Sequence, residues 1–283
     1  MDDRPIGIFD SGVGGLTVAE KVFRLLPRER VVYFGDTARV PYGNKSLAAL
    51  RVFASEDAAF LMQHDVKAIV VACNTIAAVA LEYLRERFPV PIFGVVCAGA
   101  RRAVEVTRTK RIGVIGTRVT IHSGAFVRAI KARMPDAVVH SVACPLFVPL
   151  IEEGWTDHPV ADAVIAEYLG GLRTRDIDTL VLGCSHYPLL APAIARYLGP
   201  AVTLVEAGEV SVLELRGQLE GAGALRESEG RPEHRFYVSD LSPNFHLIAA
   251  SFINGGISRV EEVSPEAISA AARQRVQRSD AAL

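Results

Sequence analysis

The sequence predicts an α/β fold of two similar domains with largely parallel sheets, related by pseudo-twofold symmetry. Short apolar segments rich in β-branched residues alternate with helical stretches along the 283 residues, a pattern typical of parallel sheets covered by helices. Three strand-like segments also recur in the same order at nearly constant spacing. The matched pairs are residues 6–11 with 112–117, 31–34 with 138–141, and 68–72 with 179–183. A binding site is expected in the cleft between the domains.

The first elements follow from apolar patterning and turn residues. Residues 6–9 predict a strand that ends in the glycine-rich turn 10–15, and a helix is expected from about Leu16. Residues 31–34 predict the next strand, and a long loop follows through residues 41–43.

Residues 46–64 are expected to form an amphipathic helix, because apolar side chains recur there at three- and four-residue steps. The expected buried face consists of Leu47, Leu50, Ala54, Ala58 and Leu61. Further along, residues 217–232 are rich in Gly, Glu and Arg, which predicts an exposed loop.

The repeat also predicts how the chain divides into domains. The first domain is expected to contain residues 1–97 plus 207–264, and the second residues 98–206. The chain would return to the first domain through residues 235–238 and a helix around residues 245–252. Residues 265–283 are expected to be a tail, either a surface helix or disordered.

Composition and charge exclude several classes of protein. Hydrophobic residues make up 50% of the chain and the formal net charge is −1. A large core is therefore possible, and no nucleic-acid or membrane partner is expected. The amino terminus lacks the pattern of a secretory signal, and the apolar runs are too short to cross a bilayer. These features predict a cytoplasmic protein.

Two of the four dispersed cysteines stand out. Dispersed cysteines disfavour a disulfide framework and predict reduced thiols. Cys73 and Cys184 each follow a strand-like run and precede side chains that can cap a helix. Ligands of open α/β sheets bind beyond the carboxyl ends of the strands, where both thiols would lie. Because a helix N-terminus favours thiolate, lowered thiol pKa values are expected. Cys97 and Cys144 lack this context and are expected to be structural.

Two thiols facing one pocket would suit a racemase that needs no organic cofactor and no metal. Racemisation removes a carbon-bound proton from one face and returns a proton to the other, so one thiolate and one thiol could act as base and acid. A cysteine near a strand end, taken alone, is more often a small core residue than a reactive one.

Other chemistries match the residues less well. The glycines at positions 12, 14 and 15 suggest a dinucleotide fingerprint, but Thr17 stands where the third glycine is required. A zinc site at Cys184 and His186 lacks the paired spacings of such sites. A pyridoxal phosphate enzyme needs a Schiff-base lysine, and no lysine lies in a recognisable site.

Four motifs in this order resemble the glutamate racemase family, and the resemblance runs from about Pro5 to Asn254. The motifs are residues 10–17 (DSGVGGLT), 33–43 (YFGDTARVPYG), 72–75 (ACNT) and 182–190 (LGCSHYPLL). The resemblance implies cofactor-independent interconversion of L- and D-glutamate, with the D-enantiomer supplied to peptidoglycan synthesis. A homodimer is expected.

The resemblance also implies residue roles. Cys73 would take the proton from the D-enantiomer and Cys184 from the L-enantiomer. Asp10 would assist Cys73 near the substrate ammonium, and His186 and Glu152 would assist Cys184. Asp10 could instead be a turn carboxylate, and Glu152 a solvated helix residue. The groups implied to bind the substrate are Asp10, Ser11, Tyr42, Gly43, Asn74, Thr75, Thr117, Ser185 and His186.

The sequence departs from the family pattern in two places. Serine stands at position 185 where many members have threonine, which keeps the hydroxyl. Glu206-Ala207 replaces a more usual aspartate-serine step, which puts a role of this segment in closing the cleft in doubt. Two alternatives stay open: a racemase for aspartate or another amino acid, and a catalytically silent protein that binds an amino acid.

Overall fold

The computed structural model describes residues 2–243, 245–253, 257 and 259–280. Met1, Asn254, where the resemblance ends, and residues 281–283 of the expected tail lie outside the described residues. The strands of the described part are β1 (Ile6–Asp10), β2 (Val31–Gly35), β3 (Ala68–Val71), β4 (Ile92–Gly94), β5 (Arg111–Gly116), β6 (Val138–Ala143), β7 (Thr179–Gly183), β8 (Thr203–Glu206), β9 (Arg235–Val238) and β10 (Glu261–Glu262).

The helices connect these strands and cover both sheets. In chain order they are α1 (Leu16–Leu25), α2 (Leu47–Met62), α3 (Asn74–Val79), α4 (Leu81–Arg85), α5 (Val95–Val106), α6 (Arg118–His122), α7 (Ala125–Lys131), α8 (Phe147–Glu152), α9 (Pro159–Arg173), α10 (Ala191–Leu198), α11 (Ala207–Gly221), α12 (Phe245–Phe252) and α13 (Pro265–Asp280). Short 3₁₀ turns lie at Thr37–Arg39, Tyr42–Asn44 and Tyr187–Leu190. Within the described residues, no helix combines the length and apolar character needed to cross a membrane.

The two sheets repeat one topology. The first sheet has the strand order β10-β9-β2-β1-β3-β4, and the second has β6-β5-β7-β8. All of these neighbouring strands pair in parallel. The order β2-β1-β3-β4 therefore matches β6-β5-β7-β8 strand for strand. The predicted fold class, two α/β units with parallel sheets, is confirmed.

Parallel pairing brings the functional segments to one edge of each sheet. Strands β1, β2, β3 and β7 are buried along their whole length, as expected for parallel strands covered on both faces. Phe9 pairs with both Phe34 and Val71, so the residues after β1, β2 and β3 emerge together. Gly116 pairs with Gly183 in the second sheet. The segments after β5 and β7 therefore emerge side by side as well.

Two local expectations are wrong. Leu50, Ala54, Ala58 and Leu61 are fully buried on α2 as expected, but Leu47 is 55% exposed. Leu47 is the first residue of α2, directly after the N-cap Ser46, so it lies beyond the part of the helix that packs on the sheet. The expected loop at residues 217–232 is also too long, because α11 continues to Gly221.

The expected domain junction at residues 97–99 lies within a helix. Helix α5 runs without interruption through residues 97–99, where the first crossing is expected, and it packs against both α11 and α7. The division into domains stays a prediction. Of the two alternatives for the tail, residues 265–280 are helical. Helix α13 packs on α2 and buries Ile268 completely.

Candidate active site

A cavity of about 350 Å³ lies between the carboxyl ends of the two sheets. Both Cys73 and Cys184 line it. The other expected site residues along its wall are Ser11, Tyr42, Gly43, Asn74, Thr75, Thr117, Glu152, Ser185 and His186. A larger and more open depression of about 820 Å³, between Arg85 and Gln218, contains no cysteine or histidine. The smaller cavity is therefore the candidate active site.

Cys73 is the N-cap residue of α3 and lies two residues after the end of β3. Its thiol lies 3.6 Å from the hydroxyl of Ser11. Cys73 as a residue is buried, with 4% of its surface exposed. Burial raises the pKa of Cys73 to about 12, and the charge of Asp10 adds to this rise, against the weaker effect of the Ile76 backbone N–H. The expectation of a lowered pKa is therefore wrong for Cys73, because desolvation outweighs the helix N-terminus.

Asp10 lies behind the cavity wall. It is fully buried and does not line the cavity. Its carboxylate accepts hydrogen bonds from the Gly12 backbone N–H (3.0 Å) and from the Ser185 hydroxyl (3.1 Å). Burial raises the pKa of Asp10, opposed by the positive charge of His186 and by these donors. Direct contact of Asp10 with a substrate stays a prediction. In this structure Asp10 is connected to the cavity by its hydrogen bond with Ser185, which lines the cavity.

The glycine-rich turn allows the two halves of the site to approach closely. A Cβ atom on Gly14 would lie 2.3 Å from Nδ1 of His186 and 2.5 Å from the Ser185 hydroxyl. Thr17 secures the contact, because its hydroxyl donates to the carbonyl of Gly14 (2.8 Å) and lies 3.2 Å from that of Ser185. The turn therefore makes room for the segment that follows β7.

Cys184 has a different neighbourhood. Its sulfur lies 3.9 Å from Nδ1 of His186, and Nε2 of His186 lies 3.0 Å from Oε1 of Glu152. Burial lowers the pKa of His186, but the hydrogen bonds to Cys184 and Glu152 outweigh it and raise the pKa to about 10. Cys184 does not cap a regular α-helix; a 3₁₀ turn begins at Tyr187. The contacts with His186 and Glu152 therefore distinguish this thiol.

Uncharged groups connect the two walls of the cavity. The hydroxyl of Thr75 lies 3.0 Å from that of Thr117 and 3.3 Å from that of Thr120. Oδ1 of Asn74 is buried and has no hydrogen-bond partner among the described residues. Such an acceptor suits an N–H donor of a ligand, because an unpaired buried acceptor is costly.

Sequence reasoning missed several residues of the site. Arg118 lines the cavity and directly follows Thr117, so its position after β5 was a usable signal. Phe252 does not line the cavity, but its ring centroid lies 5.5 Å from that of His186, with the two rings at 87° to each other. Nothing local marks Phe252, because it comes from α12, far along the chain.

The remaining cysteines and possible metal ligands lie outside this arrangement. All four cysteines are free. Cys144 is fully buried, its thiol lies 3.7 Å from the carbonyl of Val142, and burial raises its pKa. Among the described residues, no three His, Cys, Asp or Glu side chains are grouped so that they could hold a metal ion.

Comparisons with known proteins agree on one family. The family model of Asp/Glu/Hydantoin racemases matches residues 6–215. The chain is 48% identical to a glutamate racemase of Geobacter metallireducens, over 94% of this chain and 99% of that protein.

Solved structures lead to the same family. A glutamate racemase of Francisella tularensis in complex with D-glutamate has a TM-score of 0.88 at 38% identity, covering 93% of this chain and 98% of that one. A glutamate racemase from Bacillus anthracis has a TM-score of 0.90 at 40% identity, covering 94% and 99%. The chain thus belongs to the Asp/Glu/Hydantoin racemase family.

Proposed function

We propose that this protein is a glutamate racemase that interconverts L- and D-glutamate by proton transfer at Cα between two thiols. The observation that carries the proposal is that Cys73 and Cys184 line one cavity between the two sheets. A base on one wall and an acid on the other can act on opposite faces of one carbon atom. A single side chain on one wall reaches only one face.

The surroundings of each thiol suggest which one acts as base in the resting enzyme. With a pKa raised to about 12, Cys73 holds its proton near neutral pH. His186, with a pKa raised to about 10, is an imidazolium there, and its Nδ1, 3.9 Å from the sulfur of Cys184, is placed to donate a hydrogen bond to a base at that position. Cys184 would therefore take the Cα proton of L-glutamate, and Cys73 would protonate the opposite face.

The same residues would serve the reverse reaction. After one turnover Cys73 is the thiolate and Cys184 carries the proton, so D-glutamate meets the base that it requires. Asp10 would favour return of a proton to Cys73, because its charge opposes a second negative charge nearby. Glu152 would hold the imidazolium of His186 through their 3.0 Å contact.

Polar groups of the cavity would orient the substrate. The hydroxyl groups of Ser11, Thr75 and Thr117 can donate to carboxylate oxygens. Oδ1 of Asn74, which lacks a partner among the described residues, can accept from the substrate ammonium. Holding both ends of glutamate places Cα between the thiols, and such positioning supplies much of the rate of a two-base reaction.

The biological setting follows from the resemblance. We propose that the product D-glutamate serves peptidoglycan synthesis in the cytoplasm. A homodimer is likewise part of the proposal.

The test is racemisation by the purified protein without any added cofactor. We expect the circular dichroism of an L-glutamate solution to decay to zero. In deuterated water, the D-glutamate formed in a single turnover should carry solvent deuterium at Cα, because the acid that protonates the second face exchanges with solvent.

Three results would contradict the proposal. Decay with L-aspartate but not with L-glutamate would assign the other substrate. Binding of glutamate without any loss of optical activity would indicate a silent binding protein. Retention of the original Cα proton in the inverted product would exclude transfer between two separate thiols.

A further inference from the structure

A cluster of buried ionisable groups lies beneath residues 40–44, which form one wall of the cavity. We call it the Arg39 cluster; it consists of Asp36, Arg39, Glu56 and Asp57. Arg39 donates through Nε to Asp36 (2.6 Å), through Nη2 to Asp57 (3.0 Å) and through Nη1 to Glu56. Asp36 and Asp57 are fully buried. The proton transfers proposed above use none of these groups.

Tyr42 joins this cluster to the cavity. Its hydroxyl donates to Asp36 and lies 3.2 Å from Oδ2 of Asp57. The ring centroid of Tyr42 lies 5.5 Å from that of Phe53. The guanidinium of Arg39 lies over the Phe53 ring, 4.3 Å from its centroid. The hydroxyl of Tyr42 is therefore committed inside the protein. What Tyr42 can offer a ligand is its backbone.

The cluster depends on the loop for a hydrogen-bond donor, the hydroxyl of Tyr42. Three carboxyl groups surround one guanidinium, and burial together with the charge of Asp36 raises the pKa of Asp57 well above its usual value. The Ser239 hydroxyl donates to the other oxygen of Asp36 (2.8 Å). Moving Tyr42 away would remove a donor from two fully buried carboxyl groups, which is unfavourable.

On the side away from the Arg39 cluster, the loop packs closely against Thr117 of the second half of the site. A Cβ atom on Gly43 would lie 2.8 Å from Cβ of Thr117. The backbone of Gly43 therefore touches the second half of the site directly. A shift of a few tenths of an ångström in this loop changes the width of the cavity at this point.

We propose that the Arg39 cluster is a positioning unit that fixes the backbone of Tyr42 and Gly43 against Thr117 for binding a substrate carboxylate. This inference rests on the proposed racemase function. The side-chain carboxylate of glutamate is the group that fits this place, because two methylene groups separate it from Cα and its contacts stay the same in substrate and transition state. Loss of such contacts raises KM and leaves kcat nearly unchanged.

The first test is Tyr42→Phe, which removes only the hydroxyl that connects the loop to the cluster. We expect amide hydrogen exchange of residues 40–45 to become faster and KM for glutamate to rise about fivefold to tenfold, the effect of losing one or two buried hydrogen bonds. The kcat value should stay within about twofold. Amides of β1 should exchange as in the wild type.

A second variant and a control separate this effect from general destabilisation. Asp57→Asn keeps the size of the side chain and should change KM and loop exchange in the same direction. Arg216→Gln breaks the exposed ion pair with Glu220 (2.6 Å) on α11, which does not line the cavity, and should change neither quantity.

Two results for Tyr42→Phe would overturn the inference: unchanged loop exchange, or a KM within about twofold of the wild-type value. A loss confined to kcat would also overturn it. If the wild type does not racemise glutamate, the proposed function fails, and loop exchange in Tyr42→Phe and Asp57→Asn alone then decides whether the cluster holds the loop.

Discussion

The two walls of the cavity share a strand topology but place different charges around their thiols. Cys73 follows β3 and lies near the Ser11 hydroxyl and the negative charge of Asp10. Cys184 follows β7 and lies beside His186, which Glu152 holds. A repeated topology therefore places two thiols symmetrically without giving them the same acid–base properties. The side chains that follow each strand decide those properties.

Thermodynamics limits where this asymmetry can be observed. The two enantiomers of glutamate have equal free energies in water, so their equilibrium constant is unity. The values of kcat/KM in the two directions must then be equal, for the wild type and for every variant. The difference between the walls must instead be sought in reactions of a single thiol and in pH dependence.

The largest expected effect comes from removing one thiol at a time. Cys73→Ala and Cys184→Ala should each lower racemisation by at least about 10³-fold, within the range of general acid–base catalysis. Cys73→Ala should still exchange the Cα proton of L-glutamate with solvent without inversion, and Cys184→Ala that of D-glutamate. The latter exchange should be slow, because the raised pKa of Cys73 disfavours its thiolate. Proton NMR in deuterated water measures both.

Cys97→Ala is the matched control for these variants, because Cys97 does not line the cavity. It should racemise glutamate at the wild-type rate. Equal exchange of both enantiomers by either single-thiol variant would remove the assignment of one thiol to each face.

His186→Asn should have the next largest effect. It removes the cation beside Cys184 while leaving a polar side chain of similar reach. We expect kcat/KM to fall about 10²-fold, equally in both directions. Solvent exchange of L-glutamate in the Cys73→Ala background should fall in parallel. Loss of D-glutamate exchange in the Cys184→Ala background would contradict the separate roles of the two walls.

Glu152→Gln should have a smaller effect, because Glu152 acts through His186. Its side chain is 37% exposed, so solvent screens its charge. We expect kcat/KM to fall about tenfold, with the fall diminishing in a Glu152→Asp variant that restores the charge. Exposed Glu167 on α9, which does not line the cavity, provides the control, and Glu167→Gln should be close to wild type. A loss as large as that of His186→Asn would show that Glu152 does more than hold the imidazolium.

The smallest effect concerns stability. The folded-state pKa of His186 is raised to about 10, above the usual histidine value of about 6.5. Protonated His186 therefore stabilises the fold fully below about pH 6.5, and this stabilisation is lost as the pH rises through about 10. Thermal unfolding measured between pH 6.5 and 8 should show a falling melting temperature in the wild type and a smaller fall in His186→Asn. Parallel curves would contradict the raised pKa.

Local patterns were sufficient to predict most of the fold. The apolar runs around Ile8, Val70 and Val181 became buried strands at the expected places. The period of α2 was correct except at Leu47, because a helix pattern does not reveal where the sheet beneath it ends. The end of α11 was misjudged because glycine and glutamate are tolerated on an exposed helix face.

Some positions in and around the site could be predicted from the sequence, and others could not. The positions of Cys73, Cys184 and Thr117 follow from strand ends, since parallel strands bring their carboxyl ends to one edge. Phe252 beside His186 carries no such signal. Its contact depends on how a distant helix packs.

The sequence by itself determined the repeated strands, the two thiols at their ends and the resemblance that connects them to racemisation. Only the tertiary structure decided which charged groups lie beside each thiol. Desolvation and contacts such as those between Asp10 and Ser185, or between His186 and Glu152, act over a few ångströms between residues far apart in the chain. Strand periodicity is a local property of the chain, whereas the pKa of a buried group depends on every charge and dipole packed around it.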